Sequence, residues 1–216
     1  MTVSRTRRSA RLSCYALSLT ALTSLFAFAL LAIAVAHGNS PYGFEDPVIR
    51  WLGTRPAVGS WDNVAELLAA PAIGAALVVS AALGFVRRAF LRVVGYATLA
   101  VMAFLLSEHV AKPLVQRSYV GELAFPSGNV TAVSATALAM WLAAYPLIGK
   151  LARSITLAIS VGWTLLMTLA VVGALWHTPI DALGSILLSV GTITGGAAVF
   201  EQAMARRRPL PSMDVR

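Results

Sequence analysis

Six long apolar runs constrain the fold of this chain more than any other feature of its sequence. They cover residues 12–36, 64–86, 93–111, 127–149, 154–175 and 179–200, with polar connections between them. A helix of about 20 residues crosses the roughly 30 Å of hydrocarbon in a bilayer. The sequence therefore predicts an all-α fold, an integral membrane bundle of six transmembrane helices.

The composition is typical of a membrane protein and not of a soluble one. Of the 216 residues, 58% are hydrophobic and 12% are charged, whereas about a quarter of the residues in a soluble domain are charged. The first run has an alternative interpretation as a signal peptide, because Ala34-Val35-Ala36 resembles a cleavage site. Its length exceeds the roughly 7–15 apolar residues of a usual signal peptide, which favours a membrane span.

The basic residues predict an orientation in the membrane. The net charge of +8 comes from clusters at the ends of the apolar runs, which topology explains better than a nucleic-acid partner does. If every run crosses, all the clusters are cytoplasmic. The chain then divides into a basic cytoplasmic N-terminus (1–11), a membrane domain (12–200) and a basic cytoplasmic tail (201–216). The clusters are Arg5, Arg7, Arg8 and Arg11; Arg87, Arg88 and Arg92; Lys150 and Arg153; and Arg206, Arg207 and Arg208.

Three segments on the opposite, outer side hold most of the unusual polar residues, at 108–119, 125–129 and 176–181. In the second segment Ser127 is a good N-cap, and Gly128 lets another group approach the backbone closely. The start of this helix therefore points free amides and the positive end of the helix dipole outward. These features indicate an anion site, although an ordinary helix start has the same sequence.

The third segment combines a helix start with a His–Asp pair. Thr178, Pro179 and Asp181 form a capping pattern, which is sufficient to explain Asp181. His177 lies four residues before Asp181, a spacing at which the carboxylate can fix the imidazole tautomer and activate the other ring nitrogen. A purely structural hydrogen-bond donor is the competing explanation for His177.

The first segment places two cations on the side that the positive-inside rule disfavours. Snorkelling to the headgroup zone explains one such residue. Two cations beside a free helix N-terminus and a His–Asp pair indicate a phosphate clamp, because phosphate binds charge-assisted donors from several directions. The two cations are Lys112 and Arg117.

These residues resemble the motifs of the type 2 phosphatidic acid phosphatase family, six-helix membrane enzymes that hydrolyse lipid phosphates and diphosphates. The family motifs are K-x6-R-P, P-S-G-H and S-R-x5-H-x3-D, and their order matches this chain from the third run to the sixth. Six positions match, and Arg117 stands where many members carry an additional Arg. The matches are Lys112, Pro126, Ser127, Gly128, His177 and Asp181; the departures are Tyr119 and Val120 for Arg-Pro, Asn129 for His, and Ala170 and Val171 for Ser-Arg.

The resemblance implies a two-step mechanism through a phosphohistidine, with His177 as the nucleophile and Asp181 as its orienting partner. It also implies that Lys112, Arg117 and the amides around Ser127 and Gly128 bind the phosphoryl oxygens. No metal or other cofactor is implied. The single Cys14 excludes an internal disulfide.

Asn129 indicates which substrate the site favours, because it donates hydrogen bonds but supplies no proton. An alcohol leaving group ionises near the pKa of water, about 15.7, whereas a phosphate leaving group ionises at about 6. A polyprenyl diphosphate or a related lipid phosphate is therefore favoured over phosphatidic acid. Glu108 and His109, one turn before Lys112, are alternative proton donors, and Tyr119 is a further auxiliary candidate.

The competing hypothesis is a catalytically inactive relative that binds lipid phosphate as a carrier or as a subunit of a cell-envelope assembly. Its support is the absence of two Arg and one His from the motifs. Residues 37–63 carry Arg50 and Arg55, which would replace the missing arginines if this loop folds over the site. The predicted partners are a lipid phosphate and the bilayer, and no pattern indicates an oligomeric state. The high Arg and Ala content suggests a bacterial plasma membrane, with the site facing outside.

Overall fold

The structure is a computed structural model that describes residues 2–38, 41, 43–54 and 58–206, of which 2–13, 58 and 205 are described by their backbone alone. Three cations of the sequence analysis, Arg55, Arg207 and Arg208, lie outside the described residues, as does the tail beyond Arg206. The helices are α1 (Thr2–Val35), α2 (Asp46–Gly53), α3 (Val58–Leu68), α4 (Ala70–Val86), α5 (Phe90–Leu106), α6 (Lys112–Val115), α7 (Gly128–Ala144), α8 (Lys150–Gly173) and α9 (Pro179–Arg206).

The predicted bundle of six membrane helices is confirmed. The segments long and apolar enough to cross a bilayer are Cys14–Val35, Gly59–Val86, Phe90–Val115, Gly128–Leu147, Lys150–Gly173 and Pro179–Met204.

Two spans differ from the predicted runs in their detail. The second contains two helices, α3 and α4, because Pro71 at the start of α4 has no backbone N–H to continue a helical ladder. The third continues beyond residue 111, through a π-helical turn at Ser107–Ala111 and then α6.

Helix α7 lies at the centre of the bundle and contacts α5, α8 and α9, while α1 packs along α9. Small side chains of α7, among them Ala135, Ala139 and Ala143, are buried in a cluster with residues of α5 and α9. Small residues let membrane helices approach closely, which is how such helices gain packing energy in lipid.

Hydroxyl groups join α7 to α9 inside the bundle. Ser134 Oγ and Ser189 Oγ lie 2.7 Å apart, and Ser189 Oγ is 3.2 Å from the carbonyl of Thr131. Ser185 Oγ donates to the carbonyl of Ser127 at 2.9 Å. We refer to Thr131, Ser134, Ser185 and Ser189 as the hydroxyl seam, and it leads toward the end of the bundle where α7 and α9 both begin.

The opposite end of the bundle carries the described basic clusters. Arg92 Nε donates to the carbonyl of Ala143 at the end of α7, at 3.1 Å. Its guanidinium also forms an ion pair with Glu201 of α9 and lies over the Tyr96 ring. Arg153 caps the same region by donating to the carbonyl of Tyr145 at 2.7 Å.

Candidate active site

The segment after the third span folds into a short hairpin. Gln116 ends α6 in the left-handed conformation with φ 52°. Strand β1 (Ser118–Tyr119) then pairs with β2 (Glu122–Leu123) in antiparallel register. Val120 and Gly121 connect them with φ values of 51° and 84°. Two positive φ values are typical of the tight turn that matches the strand twist, and this turn holds Tyr119 beside the start of α7.

The start of α7 has the predicted N-cap. Ser127 Oγ accepts a hydrogen bond from the N–H of Val130 at 3.4 Å. Gly128 follows directly, and a Cβ built there would lie 2.2 Å from Oε1 of Glu108. The glycine therefore leaves the room in which a carboxylate reaches the positive end of this helix.

The end of α8 sets the position of His177. Leu175 has φ 60°, and its N–H donates to the carbonyl of Val172 at 3.1 Å, while the Trp176 N–H donates to that of Val171 at 3.0 Å. This pair of bonds is a Schellman cap, here with a leucine where glycine is usual. The Val171 carbonyl also accepts from the N–H of His177 at 3.3 Å. The side chains at 170 and 171, where the resemblance expects Ser and Arg, are buried apolar groups.

The start of α9 brings His177 and Asp181 together. The Thr178 N–H donates to Asp181 Oδ2 at 2.9 Å, as the capping pattern predicts. His177 Nδ1 lies 3.8 Å from the same oxygen, which is longer than a hydrogen bond. Asp181 is fully buried whereas His177 is partly exposed, so the carboxylate lies behind the imidazole and outside the described lining of the cavity.

Arg117 lies in a buried ionic network. Its Nη1 contacts Asp181 Oδ1 and donates to Thr178 Oγ1 at 3.0 Å, and its Nη2 donates to Glu45 Oε2 at 3.0 Å. Glu45 Oε1 also accepts from the N–H of Ile180 at 2.9 Å. The side chain of Arg117 is 1% exposed. The described contacts thus connect the guanidinium to two carboxylates and not to the space in front of His177.

A cavity of about 540 Å³ lies between these elements. Six of the residues singled out from the sequence line this cavity. The described lining does not include Arg117, Ser127 or Asp181, which are buried behind the cavity. It also does not include His109, which is exposed. Apolar residues form much of the remaining wall. The six are Glu108, Lys112, Tyr119, Gly128, Asn129 and His177; the other lining residues are Phe104, Val120, Glu122, Leu123, Ala124, Leu175 and Trp176.

Lys112 and Glu108 form an ion pair in the cavity, and Tyr119 keeps its phenolic proton. Lys112 Nζ lies 2.9 Å from Glu108 Oε2 and 2.8 Å from Oε1. Burial raises the pKa of the Tyr119 phenol above its usual 10.0, and the nearby carboxylates of Asp181 and Glu45 raise it further. Tyr119 therefore remains a protonated hydrogen-bond donor at neutral pH.

The loop between the first two spans contributes a carboxylate to the site. Arg50, which the sequence offered as a replacement for a missing arginine, is not part of it. Arg50 forms an ion pair with Asp46 one helical turn earlier, and its side chain is 76% exposed. Glu45, at the turn just before α2, is the residue that reaches the site, by its contacts with Arg117 and Ile180. Glu45 could not be singled out from the sequence, because a single acidic residue in a polar loop carries no local pattern that marks it.

Within the described part of the chain, no group of three or more His, Cys, Asp or Glu side chains has the arrangement of a metal site. The groups that can hold a phosphoryl anion are Lys112, the phenol of Tyr119, the Asn129 amide and the amides at the start of α7. The imidazole and carboxyl groups among the described lining residues, which have acid–base or nucleophilic chemistry, are His177, Glu108 and Glu122.

The close approach of the Glu108 carboxylate to Gly128 leads to a testable prediction. We expect Gly128→Ala to displace the Glu108 carboxylate, because the added Cβ would lie 2.2 Å from Oε1. The same Cβ would keep an anion from approaching the amides at the start of α7. Binding of inorganic phosphate, measured by calorimetry in detergent, should therefore weaken by about tenfold or more, the equivalent of roughly 1.4 kcal/mol. Gly162→Ala is the matched control, since a Cβ there meets nothing within 4 Å. Equal phosphate affinity in both variants would contradict the role given to Gly128.

The fold of this chain is similar to that of a protein of known structure. No protein-family model matches the chain, and no curated protein sequence matches it. The structure is similar to the crystal structure of a transmembrane PAP2-type phosphatidylglycerolphosphate phosphatase from Bacillus subtilis, with a TM-score of 0.69 and 18% sequence identity. The match covers 88% of this chain and 99% of that one. The chain therefore has the fold of a transmembrane PAP2-type phosphatase.

Proposed function

We propose that this protein is a membrane lipid-phosphate phosphatase that acts through a phosphohistidine on His177. The observation that carries the proposal is the cavity at one end of the bundle. It brings His177, Lys112 and the start of α7 at Gly128 into one space, which unites a nucleophile, a cation and a helix N-terminus. The relative of the same fold is a phosphatidylglycerolphosphate phosphatase, and this too supports the proposal.

The lining of the cavity suits a lipid with a phosphorylated head. Lys112, Tyr119 and Asn129 present hydrogen-bond donors, while Phe104 and Trp176 contribute apolar and aromatic surface. Its volume of about 540 Å³ lies within the range of small-molecule sites, about 300–1,000 Å³. We infer that the headgroup enters the cavity and that the lipid chain remains near its apolar wall.

The first chemical step is attack of a His177 ring nitrogen on phosphorus. We assign the ring proton to Nδ1, the nitrogen on the side of Asp181, which leaves a free electron pair on Nε2. A nitrogen–phosphorus bond forms, and the bond from phosphorus to the leaving oxygen breaks, with its electron pair passing to that oxygen. In the second step water attacks phosphorus, and the nitrogen–phosphorus bond breaks with its electron pair returning to Nε2. Inorganic phosphate then leaves with the protons of the water. Lys112 and the α7 amides stabilise the negative charge in both steps.

The leaving group determines how much the site needs a proton donor. Asn129 lines the cavity but supplies no proton. A lipid monophosphate leaving from a diphosphate ionises at about pH 6 and needs little help. We therefore propose a polyprenyl diphosphate or a related activated lipid phosphate as the substrate. For poorer leaving groups we assign the proton to Glu108, which lines the cavity, and not to His109, which is exposed. Because the ion pair with Lys112 favours the ionised carboxylate, this role requires that the bound phosphate takes Lys112 from Glu108.

The charge distribution supports an outward-facing site. Arg87, Arg88, Arg92, Lys150 and Arg153 lie at the end of the bundle opposite the cavity. Because cytoplasmic loops are enriched in Lys and Arg, we propose that this end is cytoplasmic and that both termini are too. Hydrolysis then takes place on the extracytoplasmic face, in a bacterial plasma membrane.

A lipid-phosphate binder without turnover is the second candidate function. The observation that favours it is the small positive charge at the cavity. Arg117 contacts Glu45 and Asp181, so Lys112 is the one Lys or Arg among the described lining residues. Lys112 in turn pairs with Glu108. Such a site has less positive charge for a transition state than the matching motifs of the family would supply. Binding of phosphate without release would be its expected behaviour.

Phosphate release by the purified protein in detergent tests the two candidates. We expect release from a polyprenyl diphosphate to exceed release from phosphatidic acid by about 10²-fold or more, because general-acid help is typically worth about 10²–10⁴ in rate. Equal rates would contradict the leaving-group argument. Binding without release from either lipid would favour the binder.

Two variants separate the contributions to proton donation in the same assay. Asn129→His should raise hydrolysis of phosphatidic acid by restoring an imidazole and should change the diphosphate rate little. Glu108→Gln should lower hydrolysis of phosphatidic acid more than that of the diphosphate. A Glu108→Gln loss of the same size for both substrates would show that Glu108 acts on binding and not on the leaving group.

A further inference from the structure

The buried network behind His177 contains an acidic residue whose position no motif explains. Glu45 precedes α2, in the connection between the first two spans, and its side chain is 0% exposed. Burying a carboxylate is costly unless it is paired and hydrogen-bonded. Glu45 has both kinds of partner, since Arg117 Nη2 and the N–H of Ile180 donate to its two oxygens at 3.0 and 2.9 Å.

The network has an electrostatic consequence for His177. Arg117 joins Glu45 to Asp181, and Oδ2 of Asp181 lies 3.8 Å from Nδ1 of His177. A lone Arg117–Asp181 pair is neutral overall, so the guanidinium would cancel much of the potential of Asp181 at the imidazole. With Glu45 included, two carboxylates surround one guanidinium, and the group keeps a net negative charge. At low dielectric such a charge acts over several ångströms.

We propose that Glu45 is a positioning residue that offsets the charge of Arg117, so that Asp181 continues to act on His177 as an anion. This inference rests on the proposed role of His177 as nucleophile. A cationic imidazole ring is produced when Nε2 takes the phosphoryl group, and net negative charge behind Nδ1–H stabilises it. The polar connection between the first two spans thereby contributes to the site without a side chain in the cavity.

The alternative is a purely structural role, since Glu45 connects the start of α2 to the start of α9. Charge and structure are separated by two substitutions. Glu45→Gln keeps the length of the side chain and an oxygen to accept from Ile180, but removes the charge. Glu45→Asp keeps the charge and shortens the side chain.

The test is a histidine titration by NMR on the full chain in detergent. The protein has three histidines, so selective ¹³C labelling gives three ring signals, and His177→Asn assigns the one of interest. In Glu45→Gln we expect the titration midpoint of His177 to move to lower pH, on the order of 0.5 pH unit. The signal of the exposed His109 is an internal reference. The other charged and titratable groups that face His177 from neighbouring elements are unchanged in this variant, namely Glu108, Lys112, Arg117, Tyr119, Glu122 and Asp181.

Three comparisons make the result decisive. Glu45→Asp should keep the midpoint near that of the parent protein even if it lowers the melting temperature. Glu201→Gln is the matched control, because Glu201 pairs with Arg92 at the opposite end of the bundle. The double variant Glu45→Gln, Arg117→Gln removes both charges and should restore the midpoint. If Glu45→Gln alone does not fold, the double variant is compared with Arg117→Gln, whose midpoint should be higher because it keeps the charge of Glu45.

An unmoved His177 midpoint in folded Glu45→Gln would overturn the inference, as would an equal shift in Glu201→Gln or in the double variant. Where the parent protein releases phosphate, the acid limb of its pH–rate profile should move with the NMR midpoint. We expect the plateau rate to fall by roughly 10–100-fold, as for lost outer partners of histidine ligands in metal sites. A parent protein without release would overturn the proposed function, while the titration would still decide the role of Glu45.

Discussion

His177→Ala is expected to reduce phosphate release to background, a loss of about 10⁴-fold or more, because removal of a catalytic nucleophile in other enzymes has effects of this size. The reason is structural as well as chemical. His177 is held by the Schellman cap at the end of α8 and lies in front of Asp181 at the start of α9. We find no second imidazole among the described residues that line the cavity.

Two measurements check this expectation. Release is followed with the diphosphate substrate, and brief incubation with ³²P-labelled substrate followed by alkaline quenching detects an acid-labile phosphoryl enzyme. His109→Ala is the comparison, since His109 belongs to the same residue type but is exposed and outside the cavity lining. A phosphoryl enzyme that persists in His177→Ala, or a comparable loss in His109→Ala, would refute the assignment of the nucleophile.

Arg117→Ala is expected to destabilise the fold by about 3–5 kcal/mol, because removing one partner of a buried ion pair leaves uncompensated charge. Here two carboxylates, Glu45 and Asp181, would lose their guanidinium, and both are fully buried. Thermal unfolding in mild detergent, followed by circular dichroism, measures the effect as a lowered melting temperature.

Arg50→Ala is the matched control for this prediction. Arg50 also pairs with a carboxylate, that of Asp46, but at an exposed position on the first turns of α2. Exposed pairs contribute about 1 kcal/mol or less, so we expect little change in melting temperature. Adding Glu45→Gln to Arg117→Ala should recover part of the lost stability. If Arg117→Ala lowers the melting temperature no more than Arg50→Ala does, the two buried carboxylates do not need Arg117 to compensate their charge.

The sequence was sufficient to predict the elements whose signals are local. The length of each apolar run predicts its span, and the N-caps at Ser127 and Thr178 follow from residues within one helical turn. The spans and N-caps depend on neighbours in the chain, so a single sequence carries enough information to find them. His177 and Asp181 were also expected to be close, from a spacing of four residues, but His177 lies before α9 and is placed near Asp181 by the cap at the end of α8.

The buried network was not predictable in the same way. The contact between Arg117 and Glu45 joins residues 72 positions apart, and that between Glu45 and Ile180 joins residues 135 apart. No periodicity links such positions, and Arg117 in a polar loop is equally compatible with a phosphate clamp. The phosphate-binding role predicted for Arg117 stays a prediction, and its observed partners favour a role behind the cavity. The π-helical turn that directs Glu108 toward Gly128 also has no sequence period to reveal it.

The hydroxyl seam has a consequence for the way the site tolerates its membrane. Ser185 and Ser189 follow Asp181 at intervals of one helical turn on α9, and they meet the backbone or side chains of Ser127, Thr131 and Ser134 on α7. Sliding α9 along α7 by one turn, about 5.4 Å, would break these contacts together. A bilayer of different thickness can therefore tilt the two helices as a pair, but the vertical register between the phosphate-binding helix start and the His–Asp pair stays fixed.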